Sequence, residues 1–411
     1  MKKISVAGAI LLLACCHSIA QVRTPAQLLM LTNEDSLNAG MNSAKTVISG
    51  YGSAFYQYDF NEKNATASLE RVVLFVGHQF SRKISFFSEM ELENARVTGE
   101  GDGGEISMEQ AYLKFNLNTR QYITAGLFIP RIGILNENHL PVNFNGTQRP
   151  KVEQLIIPAT WREIGIGFYG RSARMPLNYS LALLNGLNAA AFEHGTGLRE
   201  GRFEGSKASA NNLAVTASLQ YYYKDFSFQV SGYAGGTNIL PRRASDSLSL
   251  PSGPAALPLY MGETNIQWNK NGISAKALAV YVSFPDAGAI NKAYANNVSS
   301  SMYGAYGELA YNLFENSRKW KGQQLNVFGR FELLDLNSSL PKSGIYDGTG
   351  KQQYIIAGFA YLPVRNVVVK TDITLLHTGA ENPDLIINPS PVRVPYRQNN
   401  QVLNIGIGYS F

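Results

Sequence analysis

The 411-residue sequence predicts an all-β fold: an antiparallel sheet of about 16 strands closed into a transmembrane β-barrel, with short turns at one end and long loops at the other. Three observations predict it. Segments that alternate apolar and polar residues recur along the whole chain, short and long connections alternate between them, and charged residues make up only 16%. A period of two separates side chains onto the two faces of a strand. A water-facing surface normally carries roughly 25% charged residues, so the deficit calls for an apolar solvent around the fold. The formal charge of +6 is mild for this length and gives no reason to expect nucleic acid.

The first element is an expected export leader, residues 1–20. Lys2 and Lys3 form a basic start, VAGAILLLACC a short apolar stretch, and Ser18-Ile19-Ala20 a small-residue cleavage site before Gln21. Leu12-Leu13-Ala14-Cys15 also fits a lipoprotein box that would lipidate Cys15; the lack of a Ser/Gly-rich tether after it favours the first reading. Both cysteines would leave with the leader, so the exported chain is held by something other than disulfides. Residues 21–44 are expected to form a periplasmic arm with one short helix starting near Pro25, too short for a large plug. No later segment has the roughly 18 consecutive apolar residues of a transmembrane helix. A closed barrel, spanning 45–411, is the remaining way to satisfy every backbone group in lipid.

Sixteen strands follow in order. The first eight are expected at 45–60, 65–80, 83–97, 105–118, 120–130, 161–171, 176–187 and 211–223. The second eight are expected at 226–236, 258–269, 272–284, 301–315, 323–336, 351–363, 366–379 and 399–411. Ser81 to Lys83, Asn118 to Arg120, Ser172 to Arg174, Lys224-Asp225, Lys270-Asn271, Asn316 to Lys321 and Val364-Arg365 are short turns. The intervening connections are mostly long and rich in Gly, Pro, Asn and Ser, notably 131–160, 188–210, 237–257, 285–300, 337–350 and 380–398. This alternation assigns the short turns to the periplasm and the long loops to the exterior.

Parity then sorts the side chains. Leu325, Val327, Phe331 and Leu333 share one face of their segment, and Asn326, Arg330 and Glu332 the other. Val367, Val369, Ile373 and Leu375 separate in the same way from Lys370, Asp372 and Thr374. An apolar-out, polar-in wall implies a wet lumen, lined by Glu89, Glu91, Glu93, Glu109, Lys114, Lys276, Arg330, Glu332, Lys370 and Asp372, with Arg71, Glu163 and Glu308 in the same inward register. Phe80, Phe86, Tyr221 to Tyr223, Phe226, Phe228, Trp268, Trp320, Tyr409 and Phe411 gather toward the short-turn end, as an aromatic girdle would.

The closing alternation NNQVLNIGIGYSF, with Tyr409 and Phe411 on its apolar face, is similar to the assembly signal of outer-membrane barrels. Ala111-Tyr112 leading into Gly126-Leu127-Phe128-Ile129-Pro130-Arg131-Ile132-Gly133 resembles bacterial outer-membrane porins, in particular the porin O and P (phosphate-selective porin) family. The resemblance implies a passive channel for small hydrophilic solutes or ions, anions such as phosphate among them. It also implies a homotrimer with its third external loop folded into the lumen. The partners it implies are outer-membrane lipid, the barrel assembly machinery and the solutes themselves.

The longest connection here, 131–160, is independently a candidate constriction. Leu135, Leu140, Leu155, Ile156 and Ile157 would be buried by folding inward, and Arg131, Glu137, Arg149, Lys151 and Glu153 would then bias ion passage. Packing on a neighbouring subunit is the other fate of such a loop. Phosphate selectivity in the family rests on a dense ladder of inward bases, whereas Arg71, Lys114, Lys276, Arg330 and Lys370 are interleaved with as many acids. That mixture reads as a general pore.

No cofactor, metal or catalytic step is expected. His78 and His377 have outward parity, His139 and His194 fall in long loops, and no Asp–His or Ser–His pair shares an inward register. GEGDGGE (99–105) lacks the spacing of a calcium loop and reads as a solvated hairpin tip. The alternative to a channel is a surface barrel that uses its long loops as an adhesin or to dock a partner.

Overall fold

The structure is a computed structural model that describes residues 22–30, 45–94, 105–383 and 397–411. The expected leader with Cys15, most of GEGDGGE and residues 384–396 lie outside the described residues. Sixteen strands follow one another: β1 Lys45–Asp59, β2 Asn64–Gln79, β3 Ile84–Glu93, β4 Glu105–Asn116, β5 Gln121–Phe128, β6 Glu163–Arg171, β7 Leu177–Asn185 and β8 Leu213–Tyr223. The second half is β9 Phe226–Gly236, β10 Pro258–Lys270, β11 Ile273–Ser283, β12 Ser301–Asn312, β13 Gln324–Ser339, β14 Lys351–Val364, β15 Val367–Thr378 and β16 Asn399–Ser410.

Each strand pairs antiparallel with its sequence neighbours, and β1 pairs with β16, so the sheet has no free edge. Closure is completed past the last strand residue by a reciprocal bond pair between Gly50 and Phe411. The short and long connections fall on opposite ends as expected; on the long-loop end the connection between β1 and β2 is short, residues 60–63, as the expected strands at 45–60 and 65–80 imply.

The outward face explains the low charge. Leu309, Phe331, Ile355, Ile373 and Ile407 all point away from the lumen and stay exposed, part of an apolar belt of a size that water does not tolerate. Toward the short turns the belt turns aromatic: Phe226 stacks on both Phe228 and Trp268, and Phe80, Tyr223, Trp320 and Phe411 are exposed beside that end.

The inward face departs from the expectation of a uniformly polar wall. Inward Leu184, Leu259, Leu278, Val280 and Leu334 belong to one buried apolar cluster and lie in its part toward the long-loop end. In β11 both faces are apolar there, so alternation of polarity carries no signal. The reason is that the long loops turn back onto this half of the wall. Ile132, Leu135, Ile156, Trp161, Leu187 and Phe192 of those loops complete the same cluster.

Of the segment 21–44 expected as an arm or short helix, residues 22–30 are described, and they pack on the inner wall. The helix Pro25–Leu29 starts with a capping box between Thr24 and Gln27. Ala26 is fully buried among inward Tyr51, Val73, Phe75 and Phe87, and its N–H donates to Ser49 Oγ at 3.1 Å. A methyl side chain lets the helix approach the wall closely. Lys114 Nζ donates to the Met30 carbonyl at 2.7 Å, so the segment is tied to the inner surface at its end as well.

Candidate functional site

The connection between β5 and β6, residues 129–162, contains a 3-10 turn Pro141–Asn143 and a helix Lys151–Leu155. Its backbone leaves the sheet and needs other partners for its N–H and C=O groups. The wall supplies them. Glu332 Oε2 accepts from Val152 N–H at 3.2 Å, at the start of the helix, and Asp372 Oδ2 accepts from Thr147 N–H at 2.7 Å. Lys370 Nζ donates to the Gly146 carbonyl at 2.9 Å and lies 3.6 Å from the centre of the Phe144 ring. Arg330 donates to the Gln148 carbonyl at 3.2 Å and pairs with Glu308 at 3.3 Å, which Lys276 also reaches at 3.1 Å.

Arg330, Glu332, Lys370 and Asp372 are thus inward, as parity requires, but they hold the connection rather than line open water. Glu153 needs a similar correction. It is fully buried, accepting N–H bonds from Ile134 at 3.0 Å and Leu135 at 2.7 Å and the Tyr306 hydroxyl at 2.6 Å. Burial pushes its carboxyl up, and these donors oppose the rise. A carboxylate so enclosed does not select ions.

Two cavities remain beside this segment. The outer, about 530 Å³, is bordered by Arg71, Arg149, Arg162, Arg199 and Arg202 facing six glutamates, including Glu91, Glu93 and Glu109. Glu91 pairs with Arg71 at 3.1 Å. Burial, and then Arg71, press the Arg149 guanidinium below its usual range. The inner cavity, about 310 Å³, lies toward the short turns and is bordered, among the described residues, by Arg23, Lys114, Arg120, Arg131 and Arg171 and by the carboxylate of Glu137. Tyr122 and Tyr169 stack parallel at 5.1 Å, with Lys114 4.5 Å from the first ring and Arg131 5.4 Å from the second. Arg131 also pairs with Glu137 at 2.7 Å. Lys151 points to Gln154 Oε1 at 2.9 Å and borders neither cavity.

His139 lies in the connection, as expected of a loop residue, next to Asn138 of the inner cavity, and there it meets two glutamates of the wall that strand register could not pair with it. Its Nε2 lies 3.1 Å from Glu89 Oε1 and 3.5 Å from Glu109 Oε2. Its Nδ1 lies 3.0 Å from the Asn136 carbonyl, an acceptor, so Nδ1 carries a proton. Burial presses the imidazole down, but Glu89 and Glu109 outweigh it and hold its pKa up at about 9. The nearby hydroxyl of Thr160 donates to Glu109 Oε1 at 2.6 Å, which is not the arrangement of a hydroxyl activated by a histidine base.

Sequence reasoning also missed Arg162, Arg199 and Arg202. The strand expected at 161–171 gives Arg162 the parity opposite to Glu163, whereas β6 begins only at Glu163, and the other two belong to a loop whose path no periodicity describes.

No family model matches the chain. An uncharacterized protein of Aquifex aeolicus (strain VF5) is 29% identical over 338 residues, 79% of this chain and 74% of that protein. Among solved structures, the outer membrane channel DcaP of Acinetobacter baumannii superposes with a TM-score of 0.54 at 12% identity, covering 90% of this chain and 98% of that one. OmpF of Salmonella typhi, solved with daunomycin, gives 0.53 at 12% identity over 89% of this chain and 98% of that one. An anion-selective porin from Comamonas acidovorans gives 0.50 at 10% identity over 90% and 100%. At these identities the likeness is one of fold, and the fold is that of outer-membrane porins.

Proposed function

We propose that this protein is a passive outer-membrane channel for small hydrophilic solutes, biased toward anions such as phosphate, with the connection at 131–160 as its constriction. The observation that carries the bias is the inner cavity, where, among the described residues, five cationic side chains face one carboxylate. An anion passing there would exchange hydration for charge-assisted hydrogen bonds from Arg120, Arg131 and Arg171. The outer cavity, with arginines and glutamates nearly balanced, would admit polar solutes of either sign. No chemical step or cofactor enters this function.

Lipid surrounds the exposed apolar belt in this reading, and a leader at 1–20 directs export. The last strand, ending on Tyr409 and Phe411, is the segment the assembly machinery would bind, and a homotrimer is the expected assembly. Liposome swelling tests the channel. Vesicles carrying the folded barrel should swell in isosmotic solutions of small sugars, and faster in small organic anions than in cations of equal size. Folded barrels that pass no solute would overturn the reading and bring partner docking by the long loops forward.

A further inference from the structure

The cluster formed by Glu89, Glu109 and His139 has the construction of a metal site, and it does so independently of which solute the barrel passes. Glu89 stands on β3, Glu109 on the adjacent β4, and His139 on the connection that lies across them. All three side chains are buried. One ligand atom from each lies within 4.8 Å of the other two.

What distinguishes the cluster from an acidic patch is that its remaining polar atoms are already directed elsewhere. Glu89 Oε2 accepts from Gln110 Nε2 at 2.6 Å, and Glu109 Oε1 accepts from the Thr160 hydroxyl at 2.6 Å. His139 Nδ1–H donates to the Asn136 carbonyl at 3.0 Å. Such outer contacts orient ligands and set the tautomer in metal centres. The three atoms they leave, Glu89 Oε1, Glu109 Oε2 and His139 Nε2, converge. Glu109 Oε2 accepts no hydrogen bond although it is buried, an arrangement that disfavours an isolated carboxylate oxygen.

The spacing also fits. Ligands about 2.1 Å from a tetrahedral ion stand roughly 3.4 Å apart, and the imidazole nitrogen lies 3.1 Å and 3.5 Å from the two carboxylate oxygens. One imidazole and two carboxylates suit a first-row transition ion rather than Mg²⁺ or Ca²⁺, which take all-oxygen shells.

We propose that Glu89 Oε1, Glu109 Oε2 and His139 Nε2 bind one divalent transition-metal ion, Zn²⁺ by chemical class, with a fourth position left to water. Because two ligands stand on the wall and one on the connection, the ion clamps residues 131–160 against β3 and β4. Glu109 also borders the outer cavity, so the clamp holds the connection at the edge of that cavity.

The test is Zn²⁺ binding to the full-length barrel, folded in detergent and stripped with a chelator. Titration calorimetry should find one site per chain, with Co²⁺ giving visible absorption bands of a low-coordinate N/O site. His139→Asn and Glu109→Gln should each weaken that site at least tenfold, whereas His78→Asn, on the outer surface, should leave it unchanged. Zn²⁺ should also raise the thermal midpoint of the unmodified barrel more than Ca²⁺ does. Should either cluster variant fail to fold, the Co²⁺ spectrum and the Zn²⁺ stoichiometry of the unmodified chain still decide. A stripped barrel that binds no Zn²⁺, or a site that survives in a folded cluster variant, overturns the assignment.

Discussion

Tyr306 of β12 donates its hydroxyl hydrogen to Glu153 Oε1 at 2.6 Å, joining the barrel wall to the middle of the connection between β5 and β6. Both side chains are buried. Tyr306→Phe keeps the ring and strands a buried carboxylate oxygen, a loss of about 1–3 kcal/mol. The expected result is a lower unfolding midpoint with the barrel still formed, together with noisier single-channel current as the connection becomes less firmly seated. An unchanged midpoint and a quiet trace would mean that the bond does not hold this segment.

Trp161 anchors the other end of the same connection. It is fully buried, tilted against Tyr233 with ring centroids 4.8 Å apart. Truncation of a large core aromatic costs about 3–5 kcal/mol, so Trp161→Ala should unfold at markedly lower denaturant. Chemical denaturation followed by the barrel's heat-dependent gel mobility would measure it.

Gly126 in β5 has φ +134°, and a Cβ there would stand 2.4 Å from the Ala111 carbonyl oxygen and 2.8 Å from Tyr112 Cα. Neither atom is the end of a flexible side chain. Gly126→Ala therefore combines backbone strain with a clash and should destabilise by about 1–3 kcal/mol or more. The readout is refolding yield in detergent, which should fall well below that of the unmodified chain.

The inner cavity supplies a charge prediction. Arg131 faces it from the connection and Arg120 from the turn between β4 and β5. The double variant Arg120→Ala, Arg131→Ala should reduce anion preference, seen as a reversal potential closer to zero under a salt gradient. Charge on the outer surface should have no such effect, so Lys63→Ala, an exposed residue in the turn after β1, serves as the comparison.

The strands were legible in the sequence because each presents one apolar and one polar face; strict alternation fails in β4, where Glu109 and Lys114, five residues apart, are both buried because a register shift opposite Glu89 and Met90 intervenes. The sequence could not show what the inward side chains meet, since their partners stand on loops. Lys370 looks like a pore base until Gly146 is known to lie above it, and Glu153 looks like a filter carboxylate until Tyr306 and two backbone N–H groups enclose it. β11 hid its inner face for the opposite reason: Leu278 and Val280 are apolar because the loops pack on them. His139 carried no periodic signal, since its role depends on a chain path fixed by contacts more than 100 residues apart in sequence, such as Thr147 with Asp372.

In the proposed function the barrel conducts and its inner cavity favours anions. Reversal potential of the folded protein in a planar bilayer, under a KCl gradient and with added phosphate, tests it most directly. Stable conductance steps, a reversal potential displaced toward chloride and partial reduction of current by phosphate are expected. Steps displaced toward potassium, or silent bilayers containing protein shown to be folded, would contradict it.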